Sequence, residues 1–161
     1  MRNWLAISAA VLLIDQLTKF AVERALALHE VIEMTPFMNL VLVHNRGAAF
    51  SFLSDASGWQ RELFIAIALA ASVWIVWLLR RHSGETLFCL ALSLVLGGAL
   101  GNVLDRVLIG AVVDFIDLHA YGYHWPAFNA ADSAITCGAV LLVWDALRTK
   151  RGNEPPAVPT E

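Results

Sequence analysis

Four runs of apolar residues divide the chain: 4–22, 63–79, 87–104 and 131–147, each interrupted by few charges. About 20 mostly apolar residues carry a helix across the hydrocarbon core of a bilayer, so each run predicts a membrane-spanning helix. The first run starts after Arg2 as a signal peptide would, but no small-residue cleavage site follows and Asp15-Gln16 breaks it, so it is expected to stay as a span. Two segments between spans, 23–62 and 105–130, are too long for simple turns and should carry structure of their own. In the first, Phe37-Met38-Asn39-Leu40-Val41-Leu42-Val43 is rich in β-formers. Asn45-Arg46-Gly47 then supplies turn residues before Ala48-Ala49-Phe50-Ser51-Phe52, a pattern that predicts a small hairpin or sheet. The expected fold is therefore an all-α polytopic membrane protein of four transmembrane helices with a small β-sheet or hairpin on its outer face. Residues 1–150 form one domain, and 151–161, with Pro155, Pro156 and Pro159, read as a disordered tail.

Composition agrees with the pattern. Of 161 residues, 58% are apolar and 16% charged, with mean hydropathy +0.64, a balance that excludes an ordinary soluble domain. A net charge of −3 without a basic stripe argues against nucleic acid as a partner. Cys89 and Cys137 lie inside apolar runs with no metal-type spacing and read as buried free thiols. Six of the eleven basic residues, Arg2, Arg80, Arg81, Arg148, Lys150 and Arg151, fall on one set of short flanks. The positive-inside rule then places both termini and the 80–86 loop in the cytoplasm and the two long segments outside.

That topology changes the meaning of the polar residues. Intramembrane charges cost at least ~2.5–3.5 kcal/mol each on insertion scales and mark functional sites by default. Asp15 and Lys19 sit near the outer end of the first span, Asn102, Asp105 and Arg106 at that of the third, and Asn129 and Asp132 at the entrance to the fourth. All converge on one membrane boundary. Asp15 with Lys19, and Asp105 with Arg106, read most simply as ion pairs that fix helix ends, and Asn129 as either a helix cap or the support of a catalytic group. Gly97, Gly98 and Gly101 suit close helix packing.

Asp114 and Asp132 have no basic residue at helical spacing and stand among Val112, Val113, Phe115, Ile116 and Ala131. Two such carboxyls brought together would share a proton, one activating water and the other polarising a carbonyl, the chemistry of aspartic peptidases. Rival readings remain open at this point: a metal site of Asp114 with Asp117, His119 and His124, a Ser133 nucleophile, a proton-conducting transporter, or a purely structural subunit.

Five blocks in order carry a resemblance: Asp15-Gln16-Leu17-Thr18-Lys19, His44-Asn45-Arg46-Gly47-Ala48-Ala49-Phe50-Ser51, Gly101-Asn102-Val103-Leu104-Asp105-Arg106, Val112-Val113-Asp114-Phe115-Ile116-Asp117 and Phe128-Asn129-Ala130-Ala131-Asp132-Ser133. Together, over about 4–147, the chain resembles the bacterial lipoprotein signal peptidases, or signal peptidase II. The resemblance implies an aspartyl endopeptidase that cuts prolipoproteins before a diacylglyceryl-modified cysteine, with Asp114 and Asp132 as the catalytic pair. It further implies Asp15, Lys19, Asn45, Gly47, Asn102, Asp105, Arg106 and Asn129 as supporting or substrate-binding residues, no metal or cofactor, and inhibition by globomycin. Its setting would be the bacterial inner membrane, multi-pass, with the active site on the outer face and membrane lipid as neighbour. A monomer is the default expectation, and the segment from Asn45 to Phe52 is expected to clamp the substrate.

Overall fold

The computed structural model describes residues 1–47 and 59–152, the last four without their side chains. Its helices are α1 (Arg2–Ala25), α2 (Trp59–Arg81), α3 (Thr86–Leu108) and α4 (Ala130–Gly152), and the first three, with Ala130–Arg148 of α4, are long and apolar enough to cross a membrane. Each outlasts its apolar run by a few residues, because the run marks only the lipid-embedded part while helical hydrogen bonding continues into the polar boundary. α4 continues to Gly152, two residues into the segment expected as a tail; the rest of that segment and the stretch from Ala48 to Phe52 lie outside the described residues.

On α1 the sorting of residues is the inverse of a soluble helix. Its buried positions are Ser8, Asp15, Lys19 and Val22, spaced seven, four and three apart along one stripe, while Leu13, Ile14, Leu17 and Phe20 are more than half exposed. Lipid solvates the apolar side and leaves polar contacts to hold the bundle. The centre is α3, half of whose apolar window is buried, with α1, α2 and α4 packed around it. Its glycines make this possible: a Cβ on Gly97 would come within 2.6 Å of the Ser8 carbonyl oxygen, and one on Gly98 would collide with the carbonyl of Ala131. Across the α1–α3 seam the Ser8 hydroxyl donates to the Ser93 carbonyl at 2.9 Å.

Both long segments contribute to one antiparallel sheet, β1 (Val31–Thr35), β2 (Met38–Asn45), β3 (Val112–Ala120) and β4 (Tyr123–His124), in that spatial order. The hairpin partner of β2 is thus β1, reached through the turn at Pro36-Phe37. The β3–β4 turn uses Tyr121 and Gly122, both at positive φ (51° and 79°), as a type I′ turn requires. Alternation along β3 sends Val113 and Phe115 into a cluster with Val22, Leu26 and Leu42, and turns Val112, Asp114 and Leu118 towards a pocket on the other face.

Candidate active site

Where the sheet meets the C-terminal end of α3 and the N-terminal end of α4, a cavity of about 540 Å³ is lined by Asn45, Gly47, Asn102, Arg106, Asp114 and Asp132, together with the apolar Val112, Leu118, Pro126, Phe128 and Ile135. The two aspartates come from different elements, β3 and the first turn of α4, and one asparagine ties them together. Asn129 Nδ2 donates to Asp114 Oδ1 at 2.7 Å. The Asp132 N–H donates to Asn129 Oδ1 at 2.9 Å, and the Asn129 N–H returns to Asp132 Oδ2 at 3.3 Å, a reciprocal capping box opening α4. Asn129 therefore caps α4 and also hydrogen-bonds Asp114, so the cap expected of it does not exclude the second contact.

Each aspartate has one more amide donor. Asn45 Nδ2 reaches Asp114 Oδ2 at 3.0 Å, and Asn102 Nδ2 reaches Asp132 Oδ1 at 2.8 Å. Asn45 is itself locked by the Gly47 N–H, which donates to its Oδ1 at 3.0 Å. Asp114 is only 2% exposed, and burial, reinforced by the charge of Asp132, pushes its carboxyl up to about 7 despite the bonds from Asn45 and Asn129.

Beside this pair lies a buried charge cluster of a different kind. Lys19 Nζ sits 2.7 Å from Asp15 Oδ2 and 2.7 Å from Asp105 Oδ2, and donates to Asn102 Oδ1 at 3.1 Å, which uses all three ammonium hydrogens. Asp15 Oδ1 accepts the Ala131 N–H at 2.9 Å, placing negative charge at the N-terminus of α4, and Asp105 Oδ2 accepts the Val113 N–H at 3.2 Å. The cluster thus fixes both chain segments that carry the pocket's aspartates. Gln16, a motif residue to which the sequence assigns no site role, joins it, donating to Asp105 Oδ1 at 2.8 Å and Asp15 Oδ2 at 3.2 Å.

The pairing expected of Asp105 with Arg106 does not form. Neighbours on a helix do not face one another, so Asp105 turns to Lys19 on α1. Arg106 instead donates to the carbonyls of Gly47 and Asn102, both at 3.3 Å, and stacks over Phe64 at 5.1 Å. Its guanidinium lines the pocket with both aspartates. The expectation of two buried thiols also needs correcting: Cys89 is buried between helices, but Cys137 is on an exposed face of α4 that borders the pocket.

The metal alternative loses its ligands to alternation along β3, which sets Asp117 on the face opposite Asp114. There burial pushes the Asp117 carboxyl up, but the hydrogen bonds from Asn39 (2.8 Å) and with His124 (2.9 Å) outweigh it and hold it below the usual range. His119 stacks on His124, and among the described residues no group of three His, Cys, Asp or Glu side chains is placed to hold a metal ion. The Ser133 hydroxyl is donated to the Asn129 carbonyl at 3.0 Å, one turn back on its own helix.

Fold and site together define a class: a four-helix membrane enzyme with a carboxylate pair in a pocket at one end of its bundle. The family described as signal peptidase (SPase) II matches residues 7–148. A lipoprotein signal peptidase of Ralstonia nicotianae is 58% identical over 148 residues, covering 92% of this chain and 86% of that one. One of Paraburkholderia phytofirmans is 57% identical over 150 residues, covering 93% and 87%. A bacterial membrane enzyme solved by the in meso method at 2.3 Å superposes with a TM-score of 0.85 at 32% identity, covering 99% of this chain and 96% of that one. This chain belongs to the signal peptidase II family; it is a multi-pass membrane peptidase that cleaves signal peptides.

Proposed function

We propose that Asp114 and Asp132 are the catalytic dyad with which this peptidase cuts prolipoproteins just before a diacylglyceryl-modified cysteine. The observation that carries this reading is the contrast between the two buried carboxylate groups. Asp15 and Asp105 are neutralised by Lys19, whereas Asp114 and Asp132 share one pocket and, among the described residues, are held by amide donors alone. Asp132, at the start of α4, is placed where the helix dipole stabilises an anion. It is the member that takes a proton from water. Asp114, pushed up to about 7, holds the shared proton and donates a hydrogen bond to the scissile carbonyl oxygen. The activated water adds to the carbonyl carbon as the Asp114 proton passes to the carbonyl oxygen, giving a tetrahedral diol. Collapse breaks the C–N bond: the leaving nitrogen takes the proton that Asp132 drew from water, one diol hydroxyl returns its proton to Asp114, and the pair is left sharing one proton as before. No metal or cofactor enters this scheme.

Asn45, Gly47, Asn102, Arg106 and Asn129 position the dyad or the substrate around the pocket; Asp15, Lys19 and Asp105 hold its walls in place. A pocket at the end of a membrane bundle receives a lipidated substrate by lateral diffusion, its acyl chains in the bilayer and its scissile bond at the boundary. The basic flanks at the opposite end favour a bacterial inner-membrane setting with both termini cytoplasmic and the dyad outside. A globomycin-type cyclic peptide would compete for the same pocket, and the chain would act as a monomer. The test compares cleavage of one prolipoprotein with and without its diacylglyceryl group. Preference for the modified form by at least tenfold in kcat/KM supports the reading; equal cleavage removes the lipid from it.

A further inference from the structure

Away from the dyad, α1 and α2 both pack on α3 but scarcely on each other, and a groove of about 570 Å³ runs between them. Leu5 and Leu12 form one wall, Val76 and Trp77 the other, and Leu96 and Leu100 the floor. The two hydroxyls that reach it are already used, Ser8 donating to the Ser93 carbonyl at 2.9 Å and Ser72 to the Ala68 carbonyl at 2.7 Å. The groove therefore offers a ligand nothing but apolar contact along its length. From Leu5 to Leu12, and from Ser72 to Arg80, it extends about 10–12 Å along the helices, most of the ~15 Å depth of one leaflet.

Its end is different. Arg80 lies at the mouth and, among the described residues, makes no ion pair or hydrogen bond, while Arg81 is occupied over the Trp77 ring at 5.6 Å. The nearest acidic side chain in sequence, Glu85, is paired with His82 at 2.8 Å. We propose that this groove binds a phospholipid with an anionic headgroup, from the leaflet at the end carrying both termini, one acyl chain lying between α1 and α2 and the phosphate on Arg80. An apolar slot one leaflet deep, closed by a free guanidinium at headgroup level beside an interfacial tryptophan, matches that ligand in length, polarity and charge. The substrate's signal helix fits less well. Its basic leading segment would meet Arg80 and Arg81, and the dyad pocket is built on α3, α4 and β3 instead.

The test uses the full chain in phosphatidylcholine vesicles containing a small, equal share of chain-brominated phosphatidylglycerol or chain-brominated phosphatidylcholine, with the Trp77 signal taken as the difference between wild type and Trp77→Phe. Brominated phosphatidylglycerol should quench Trp77 severalfold more than brominated phosphatidylcholine. Arg80→Gln should abolish that preference and Arg80→Lys keep it. Ala9→Phe, which fills the groove from α1, should reduce quenching by both lipids. Arg80 is remote from the dyad, so prolipoprotein cleavage by these variants reports that they are folded. Equal quenching by the two lipids, or a preference unchanged in Arg80→Gln, overturns the proposal. Quenching by neither lipid in a protein that migrates as a dimer assigns the groove to a second copy and also overturns it.

Discussion

Asn129 donates its side-chain amide to Asp114 at 2.7 Å while its backbone N–H points at Asp132 from 3.3 Å, so one residue sets the spacing of both carboxylates. The same asparagine starts α4. Position and chemistry are therefore coupled at a single side chain, and a substitution can separate them.

Asn129→Ser keeps a capping oxygen for the Asp132 N–H but removes the donor to Asp114. It also takes a donor from the buried Val113 carbonyl and Asn102 Oδ1, so it should cost about 1–3 kcal/mol of stability in detergent and lower kcat by about 10²-fold or more. Asn129→Ala should lose both. Unchanged kcat in the serine variant would reduce Asn129 to a cap.

The Asp114 carboxyl gives the enzyme a pH signature. Its folded value, about 7, lies well above the ordinary aspartate value of 3.8. Between these values the folded chain holds a proton that the unfolded chain has released, so the contribution of Asp114 to stability falls as pH rises from about 4 to about 7. Activity should fall through the same upper limit as the shared proton leaves, with an apparent value belonging to the pair. Removing the Asn45 amide takes away a contact that favours the charged form, so Asn45→Ala should move the alkaline limb of kcat/KM upward. A limb that stays in place or moves down contradicts this origin.

Lys19→Met strands Asp15 and Asp105 without their cation, each no more than 5% exposed. Breaking a buried pair in this way costs about 3–5 kcal/mol. The melting temperature should drop sharply, and Lys19→Met combined with Asp105→Asn should recover part of it. Full stability in Lys19→Met alone would show that the cluster does not hold the walls of the pocket.

Gly101 faces Asp15, whose Oδ2 would lie 2.5 Å from a Cβ at that position. Gly101→Ala should push Asp15 off the Ala131 N–H and destabilise the bundle by about 1–3 kcal/mol. Gly84, with nothing within 4 Å of a Cβ, is the control and should tolerate alanine. Equal melting temperatures for the two variants would remove the steric argument.

The spans were legible because a hydrophobic run of membrane length has few other uses, and the Asp15–Lys19 pair because helical spacing alone dictates it. The sheet was only half legible. Met38–Asn45 showed its β-formers, but β3 reads as an apolar stretch whose partner lies some seventy residues upstream, and pairing at that separation leaves no local signal. The same limit explains Asp105: its true partner, Lys19, sits on another helix, and only packing across Gly98 and Gly101 brings α1, α3 and α4 close enough. Cys137 was misread because hydropathy marks lipid-facing and protein-facing positions alike.

The most direct test of the catalytic dyad is cleavage of a diacylglyceryl-modified prolipoprotein by the purified protein in detergent, with chelator present, comparing wild type, Asp114→Asn and Asp132→Asn. Full activity is expected in wild type and a loss of about 10³-fold or more in each variant, with folding unchanged. Substantial cleavage by either folded variant, or loss of wild-type activity to chelator, would contradict it.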